Sequence, residues 1–425
     1  MRSFLHSSSV SGIFKILFLS LTVAIGVVPA LQAKPEKQRV RVVSSAADQV
    51  SGGDARIEIS TNGNAYKAQI QVLVNGYDQS GHFVAIDKDT LSGVVDNLSA
   101  GSNTVVVNET RSRGNGRPGK IINSDSLELI NYPISGPIFS GEHQKAFVCT
   151  VQNHGLGQPL PDSSGDSGPG WPVYGASGDI VGRSTTCQVE PTVTYRYRTT
   201  GGDWAEFIPG DQPADLATTT TIDGDTVAYI VRWERGVINR FIYSMAMLDS
   251  DPSPDYSSRA DDWNGRLLYH FQGGVAIGHT QGSPSTSRML YDNALKLGYG
   301  VIYSTGTKTG THYDLELGAE TALMTKERFI EVYGVPLYTV SVGGSGGGIQ
   351  QYVYGQNLDD RLIDAAIPQY SYPDMVTQTI HISDCELLEF YMDYISQVDP
   401  ASSWSTWSNR TWLIGLNAED GIPNP

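Results

Sequence analysis

Short runs of alternating apolar and polar residues fill the first part of the chain beyond residue 38. The alternation is clearest at residues 57–59, 70–74 and 105–107, and turn residues such as Asn75-Gly76 separate the runs. A period of two predicts antiparallel strands that are buried on one face. The sequence therefore predicts an N-terminal Ig-like β-sandwich over residues 34–135.

From residue 226 to the end at residue 425 the pattern predicts a second domain. Two strand-like runs, Thr226–Trp233 and Val237–Leu248, predict a hairpin that turns around Arg235-Gly236. Strands and helices then alternate, with predicted strands at 266–271, 300–304, 337–342 and 362–367 and predicted helices at 287–297, 317–332 and from 350. This alternation predicts an α/β domain with a mostly parallel sheet, covered by helices on both faces.

Residues 136–225, between these two parts, are rich in Gly, Pro and Ser and predict a long irregular connection. Cys149 and Cys187 bracket its most irregular part, and a disulfide between them would contribute about 3 to 4 kcal/mol. Cys385, the third of three cysteines, then lacks a partner. It is either a buried free thiol or pairs with a residue outside this chain.

The N-terminus indicates export. Residues 1–33 combine a weakly basic start, an apolar stretch and a small-residue exit, as in a cleaved signal peptide. We therefore expect a secreted or periplasmic bacterial protein with no stable membrane span after cleavage. The formal net charge of −16 disfavours nucleic acids and anionic membranes as partners, because both would repel the average surface.

The predicted strand at 337–342 leads into Gly343-Gly344-Ser345-Gly346-Gly347, which has the G-x-S-x-G pattern of a nucleophile elbow. A serine on a strained strand-to-helix turn exposes its hydroxyl, and the neighbouring glycines avoid clashes with nearby backbone. A glycine-rich loop would give the same five letters. However, a hairpin followed by alternating strands and helices, with this pattern at the third strand-to-helix turn, is the order of the α/β-hydrolase fold. Ser345 is therefore the predicted nucleophile.

An acyl-transfer enzyme must also stabilise the oxyanion that forms when serine attacks a carbonyl. In this fold one N–H donor belongs to the residue after the nucleophile, here Gly346, and another comes from a loop after an earlier strand. At that point the chain reads His270-Phe271-Gln272-Gly273-Gly274, so Gly273 and Gly274 are candidates for the second donor. An ordinary tight turn is the alternative interpretation of the paired glycines.

The catalytic acid and base are expected to follow the serine in this fold. His381 is the only histidine after Ser345, and it is the one candidate base within the chain. It comes soon after the strand at 362–367, earlier than the fold places its histidine. We therefore expect the acid and base to lie outside this sequence, which would make the chain the N-terminal part of a longer protein and the sheet incomplete at its C-terminus.

Aromatic residues are frequent after residue 367, where α/β-hydrolases insert a cap, and they predict either the start of a cap or ordinary helix packing. The other histidines show no ligand spacing such as H-E-x-x-H, so we expect no metal site. Residues 343–348 lack the G-x-G-x-x-G pattern with a later acidic residue, so we expect no nucleotide cofactor.

Several short motifs resemble a family of exported bacterial proteins, domain of unknown function 6351. They are Val50–Ala55, Gly136–Gly141, Phe147–Cys149, Asn264–Leu267 and Ser341–Gln351. The resemblance covers nearly all of the mature chain and implies an α/β-hydrolase with an N-terminal β-sandwich, distantly similar to tannases and feruloyl esterases. It also implies a longer protein than this chain.

Together these features predict a secreted serine hydrolase. Within that class they favour a carboxylic-ester hydrolase that acts on a small-molecule or polymeric ester. The alternatives are a cell-envelope binding or structural protein that keeps the scaffold without turnover and, among enzymes, a polyester depolymerase or a peptidase.

Overall fold

The computed structural model describes residues 39–61, 65–66, 69–111, 119–145, 147–255, 262–358, 361–371, 387–388 and 390–414. The predicted export signal, His381 and Cys385 lie outside these residues. Among the helices in these ranges, none is long and apolar enough to cross a membrane.

Within the described residues, nine strands build an N-terminal pair of sheets. One sheet has the order β1-β3-β7-β6 and the other the order β2-β9-β8-β4-β5. Ile57 of the first sheet and Val72, Val105 and Leu129 of the second are fully buried in one shared core, so the two sheets pack face to face. The strands are β1 (Val40–Val42), β2 (Val50–Ser51), β3 (Ala55–Ser60), β4 (Gln69–Val74), β5 (Tyr77–Asp78), β6 (Val84–Ala85), β7 (Thr90–Val95), β8 (Gly101–Arg111) and β9 (Lys120–Tyr132).

The segment 136–225 contains more regular structure than its composition indicates. The strands are β10 (Ser163–Ser164), β11 (Trp171–Tyr174), β12 (Ile180–Ser184), β13 (Thr192–Arg198), β14 (Trp204–Phe207) and β15 (Thr218–Thr220), and β15 pairs with β16 (Thr226–Ala228) just beyond the segment. The first three form a small antiparallel sheet. Two others, β13 and β14, join the large sheet described below. In β13 the buried Tyr195 and Tyr197 alternate with the more exposed Arg196 and Arg198, which is the period of two expected of a strand.

The predicted disulfide between Cys149 and Cys187 is present in this segment, with a Cα–Cα distance of 5.4 Å. Both cysteines are buried, in a cluster that includes Val151 and Phe241. The Gly- and Pro-rich stretch between them is thereby tied to the hairpin that starts the second domain.

An eight-stranded sheet has the order β14-β13-β17-β18-β20-β19-β21-β22. Its last six strands in sequence are β17 (Ile230–Ile238), β18 (Phe241–Leu248), β19 (Arg266–His270), β20 (Gly300–Ser304), β21 (Tyr338–Gly344) and β22 (Ala365–Gln369). In this spatial order the pairs β20–β19, β19–β21 and β21–β22 are parallel. The pairs β14–β13, β13–β17, β17–β18 and β18–β20 are antiparallel. Within the described residues the sheet is therefore mixed, and not mostly parallel as predicted, because β13 and β14 add two antiparallel strands beside the hairpin.

The hairpin also turns at a different place from the predicted one. Asn239 and Arg240 form the turn, with φ values of 50° and 67°. Arg235 and Gly236 instead lie within β17, where Gly236 pairs with Tyr243 of β18. A Cβ on Gly236 would lie 2.8 Å from the Tyr243 ring, so this glycine makes room for an aromatic side chain and does not form a turn.

Helices cover both faces of the parallel part of the sheet. On β19, Leu267 and Tyr269 pack with Phe329 and Tyr354 on one face, whereas Leu268 packs on the opposite face. The helices are α1 (Thr286–Met289), α2 (Asp292–Leu295), α3 (Leu315–Tyr333), α4 (Gly346–Asn357) and α5 (Trp407–Ile414), with 3₁₀ turns at Ser80–His82, Val151–His154, Thr305–Thr307 and Ser403–Ser405. Residues 390–398 are also helical.

Helix α3 connects the β-sandwich to the sheet. Asp314 caps its start by accepting the backbone N–H groups of Glu316 and Leu317 at 3.0 Å each. Arg56 of the sandwich donates to the carbonyls of Ile330 and Glu331 near the end of this helix, at 2.7 and 2.8 Å. The sandwich is thus fixed to the same helix that packs behind the parallel strands.

Candidate active site

The G-x-S-x-G motif forms a sharp turn between a strand and a helix. Strand β21 ends at Gly344, helix α4 begins at Gly346, and Ser345 between them has φ 57° and ψ −124°. A non-glycine residue in this region of backbone space costs on the order of 1 to 3 kcal/mol, so the surrounding contacts must hold it there. They include a hydrogen bond from Ser345 N to Gln369 O of 2.9 Å, and another from Gly348 N to Ser345 O of 2.8 Å.

Glycines around the serine permit close backbone contact with the loop that follows β19. A Cβ on Gly343 would lie 2.8 Å from the Phe271 carbonyl oxygen. A Cβ on Gly347 would lie 3.1 Å from the Phe271 carbonyl carbon and 3.2 Å from Gln272 N. The glycines of the motif therefore serve as contact points between two segments that are about seventy residues apart in sequence, as well as relieving local crowding.

The loop at residues 271–274, which is predicted to supply the second oxyanion donor and which we call the donor loop, lies directly beside Ser345. A Cβ on Gly273 would lie 2.8 Å from Ser345 Cβ and 3.0 Å from Gly346 N. Gly274 has φ 111°, a conformation that favours glycine. The structure thus brings together four of the residues singled out from the sequence, namely Ser345, Gly346, Gly273 and Gly274.

Helix α4 begins directly after Ser345. Gly346 is the first residue of α4, where backbone N–H groups have no acceptor within the helix. The N–H groups of a helix start also carry the positive end of the helix dipole. A negatively charged oxygen near Ser345 would therefore be stabilised by this terminus, and the Gly273 backbone lies beside it, since a Cβ on Gly273 would lie 3.0 Å from Gly346 N.

His270 supports the donor loop from inside the sheet, a role that the sequence did not indicate. Its Nδ1 lies 2.8 Å from the Phe271 carbonyl oxygen, and Arg288 Nη1 donates to its Nε2 at 3.3 Å. Burial, together with the charge of Arg288, lowers the pKa of His270 to about 4, so the ring is neutral near pH 7. Because both ring nitrogens are engaged, His270 holds the loop and is not placed to act as a base on Ser345.

The disulfide segment contacts the continuation of the same loop through Gln281, which is fully buried. Gln281 Oε1 accepts the N–H of Thr150 at 2.8 Å, and Gln281 N donates to the Val148 carbonyl at 2.9 Å. Thr150 Oγ1 donates to the Gly282 carbonyl at 2.6 Å. The Cys149–Cys187 region therefore anchors the far end of the loop whose near end lies beside Ser345.

Exposed apolar side chains follow Gly274 in the chain, and another lies beside the turn. Val275 and Ile277, which follow Gly274, are each 83% exposed, and Tyr370 is 84% exposed. The Tyr370 ring lies next to Gly344, since a Cβ on that glycine would be 3.0 Å from Tyr370 Cδ2. Large apolar residues at this exposure are a surface on which an apolar or aromatic group can bind.

Other predicted features can be located only in part. His381, the candidate base, is outside the described residues, as is Cys385. In the part of the chain that the structure describes, no group of three or more His, Cys, Asp or Glu side chains is arranged to hold a metal ion.

The site thus consists of a serine on a strand-to-helix turn of the nucleophile-elbow type beside a paired-glycine loop. The chain belongs to the Tannase-like family of unknown function (DUF6351), which it matches over residues 40–424. The family expected from the short motifs is therefore confirmed. No curated protein matches the sequence.

Similar solved structures include the closed state of lipase A from Candida antarctica, with 11% identity, coverage of 36% of each chain and a TM-score of 0.20. A post-proline cleaving enzyme from Rickettsia typhi has 9% identity over 78% of this chain and 54% of its own, with a TM-score of 0.22. Ferric enterobactin esterase from Salmonella typhimurium has 10% identity over 76% of this chain and 74% of its own, with a TM-score of 0.20. The matches to the first two span about a third and about half of those proteins.

Proposed function

We propose that the protein is a secreted serine hydrolase that cleaves carboxylic esters, with Ser345 as the nucleophile. The observation that carries the proposal is the contact between the strained Ser345 turn and the Gly273 backbone, since a Cβ on Gly273 would lie 2.8 Å from Ser345 Cβ. Strain at a residue that is not glycine, beside a loop able to donate N–H groups, is typical of a site that stabilises a tetrahedral intermediate. The tannase-like family and the hairpin followed by parallel strands and helices also support it.

In this mechanism the Ser345 hydroxyl oxygen attacks the ester carbonyl carbon, and its proton passes to a general base. The carbonyl oxygen becomes an oxyanion that accepts N–H groups from Gly346 and from Gly273 or Gly274. Collapse of the intermediate breaks the bond to the alcohol, which leaves with the proton from the base. Water then hydrolyses the acyl–serine ester by the same steps and releases the acid.

A histidine is the expected base, because a serine hydroxyl is a weak nucleophile without one. His381, the only histidine after Ser345 in this sequence, remains the candidate. His270 is excluded by its hydrogen bonds to Phe271 O and Arg288.

The exposed Tyr370 supports an ester with an apolar or aromatic group, since its ring lies next to Gly344, and the exposed Val275 and Ile277 follow Gly274 in the chain. The Cys149–Cys187 disulfide supports an oxidising compartment outside the cytoplasm.

The test is labelling with a fluorophosphonate probe, followed by identification of the modified peptide. The wild-type protein should be modified at Ser345, and Ser345→Ala should not react. Ser287→Ala, which removes an exposed serine of α1, is the matched control and should label like the wild type. No labelling of the wild type, or equal labelling of Ser345→Ala, would overturn the proposal and favour a protein that keeps the scaffold without turnover.

A further inference from the structure

Three successive carbonyl groups of the donor loop accept hydrogen bonds from two neighbouring residues. Thr309 N donates to Gln272 O at 2.9 Å, and Gly310 N donates to Gly273 O at 3.2 Å. The Thr309 side chain supplies the third bond, from Oγ1 to Gly274 O at 2.6 Å. Thr309 is 1% exposed, so these bonds are shielded from water.

The geometry of the peptide bond gives these contacts a directional effect. In a trans peptide the C=O and the following N–H point in opposite directions. Fixing the carbonyls of Gln272 and Gly273 therefore fixes the N–H groups of Gly273 and Gly274, and directs them away from the segment 309–310. One of these two N–H groups is the second oxyanion donor of the proposed mechanism, beside that of Gly346.

Thr309 also contacts the other proposed donor. A Cβ on Gly346 would lie 2.9 Å from Thr309 Cβ, so the threonine side chain packs against the first residue of α4. One buried side chain thus touches the helix start and bonds to the donor loop. Both positions are set relative to the end of β20, which leads into residues 305–310.

We propose that Thr309 is a positioning residue of the oxyanion hole: its N–H holds the Gln272 carbonyl, and its side chain holds the Gly274 carbonyl and packs against Gly346, so that the Gly273–Gly274 backbone keeps a fixed distance and orientation from Gly346. The proposal rests on the proposed function for its catalytic meaning, but its structural part can be tested separately. Oxyanion donors act through preorganisation, so a small loss of orientation should reduce the rate of the chemical step more than substrate binding.

The experiment compares Thr309→Val, which keeps the shape and removes the hydroxyl, with Thr309→Ser, which keeps the hydroxyl. Thr325→Val is the matched control, because Thr325 is equally buried and donates to Thr321 O at 2.7 Å, within helix α3. Two quantities are measured on each purified protein: amide hydrogen exchange over residues 272–275, and kcat and KM for p-nitrophenyl butyrate.

Thr309→Val should speed exchange over 272–275 and lower kcat by about 10- to 100-fold with KM changed less than threefold. Thr309→Ser should recover most of both, and Thr325→Val should resemble the wild type in both. Unchanged exchange in Thr309→Val would overturn the proposal, as would faster exchange with unchanged kcat. If the wild type neither labels at Ser345 nor turns over ester, the proposed function fails, and faster exchange in Thr309→Val alone would still support the structural part.

Discussion

The Gly273 backbone lies directly against Ser345, although 72 positions separate them in sequence: a Cβ on Gly273 would lie 2.8 Å from Ser345 Cβ and 2.6 Å from Gly344 O. No residue with a side chain fits at position 273 without moving the turn. Gly347, on the helix side of the turn, lies equally close to the backbone of Phe271 and Gln272. The separation of the two loops is therefore set by glycine on both sides.

A first prediction concerns two glycines of helix α4. Gly347→Ala should lower kcat for ester hydrolysis on the order of 10- to 100-fold, because its Cβ would lie 3.1 to 3.2 Å from backbone atoms of Phe271 and Gln272 and push the loop from Ser345. Gly355→Ala is the control, since it is exposed and its Cβ would meet only Ile363 Cδ1, at 3.7 Å. It should keep full activity and raise the free energy of unfolding by about 0.5 to 1 kcal/mol.

Activity assays and urea unfolding of the two variants check this prediction. Equal activity in Gly347→Ala and Gly355→Ala would contradict it, because the loop contact would then have no effect on the reaction.

Local sequence signals single out the residues that the structure brings together at this turn. Ser345, Gly346 and the Gly273-Gly274 pair stand next to predicted strands, so a short sequence pattern and the order of elements place them together. Thr309 and His270 were not singled out as functional. Their contacts, to Gly274 O and to Arg288, join residues that are 35 and 18 positions apart, and no short pattern reports such pairings. The run Thr305-Gly306-Thr307-Lys308-Thr309 directly after β20 was the available signal, since loops at the carboxyl ends of parallel strands are where such sites form.

The fold shows the same division between local and distant information. The strand Gly300–Ser304 was predicted with its exact limits because a continuous apolar run marks it. The turn at Asn239-Arg240 was missed because Gly236 was the stronger turn signal by composition, whereas its real cause is the Tyr243 ring on the neighbouring strand. Tertiary contact decided that position, and local propensity did not.

A second prediction concerns Glu320, a fully buried carboxylate of helix α3. Its Oε2 accepts the N–H groups of Ile138, Phe139 and Ser140 at 2.6 to 2.9 Å. Its Oε1 accepts hydrogen bonds from Ser140 Oγ and Asn239 Nδ2, both at 2.9 Å. Glu320→Gln replaces one acceptor oxygen by a donor, and should lower the free energy of unfolding by about 2 to 3 kcal/mol because buried donors lose their partner.

Glu316→Gln, on the exposed surface of the same helix, is the matched control and should change stability by less than about 0.5 kcal/mol. Urea unfolding of both variants measures the difference. A Glu320→Gln protein as stable as the control would show that the segment 138–140 does not depend on the carboxylate.

The last prediction concerns pH and the buried acids between α3 and the β-sandwich. Glu327 accepts Ser51 N at 3.0 Å and Ser51 Oγ at 2.5 Å. Burial raises the pKa of Glu327 to about 8, and burial with the nearby Glu327 raises the pKa of Glu331 as well. Asp54 and Arg328 also face this cluster, and the ion pair between them, at 3.6 Å, offsets part of the acidic charge.

A carboxyl group whose pKa is raised by folding binds its proton more tightly in the folded state than in the unfolded state. The stabilisation is therefore complete below the ordinary pKa of glutamate, near 4.5, and is lost as pH rises through the folded value of about 8. We expect the free energy of unfolding to fall between about pH 5 and pH 9. Glu327→Gln keeps an acceptor for Ser51 N and a donor for Ser51 Oγ without a charge, so it should flatten this decline.

Urea unfolding at pH 5, 7 and 9 gives the comparison. Glu327→Gln should be close to the wild type at pH 5 and more stable than it by roughly 1 to 3 kcal/mol at pH 9, where the wild type must bury a carboxylate or open the interface. Glu316→Gln should follow the wild-type curve, because that side chain is exposed. A parallel curve for Glu327→Gln, displaced equally at all three pH values, would show that Glu327 acts only through its hydrogen bonds to Ser51 and that its ionisation does not govern how the sandwich and the sheet are held together.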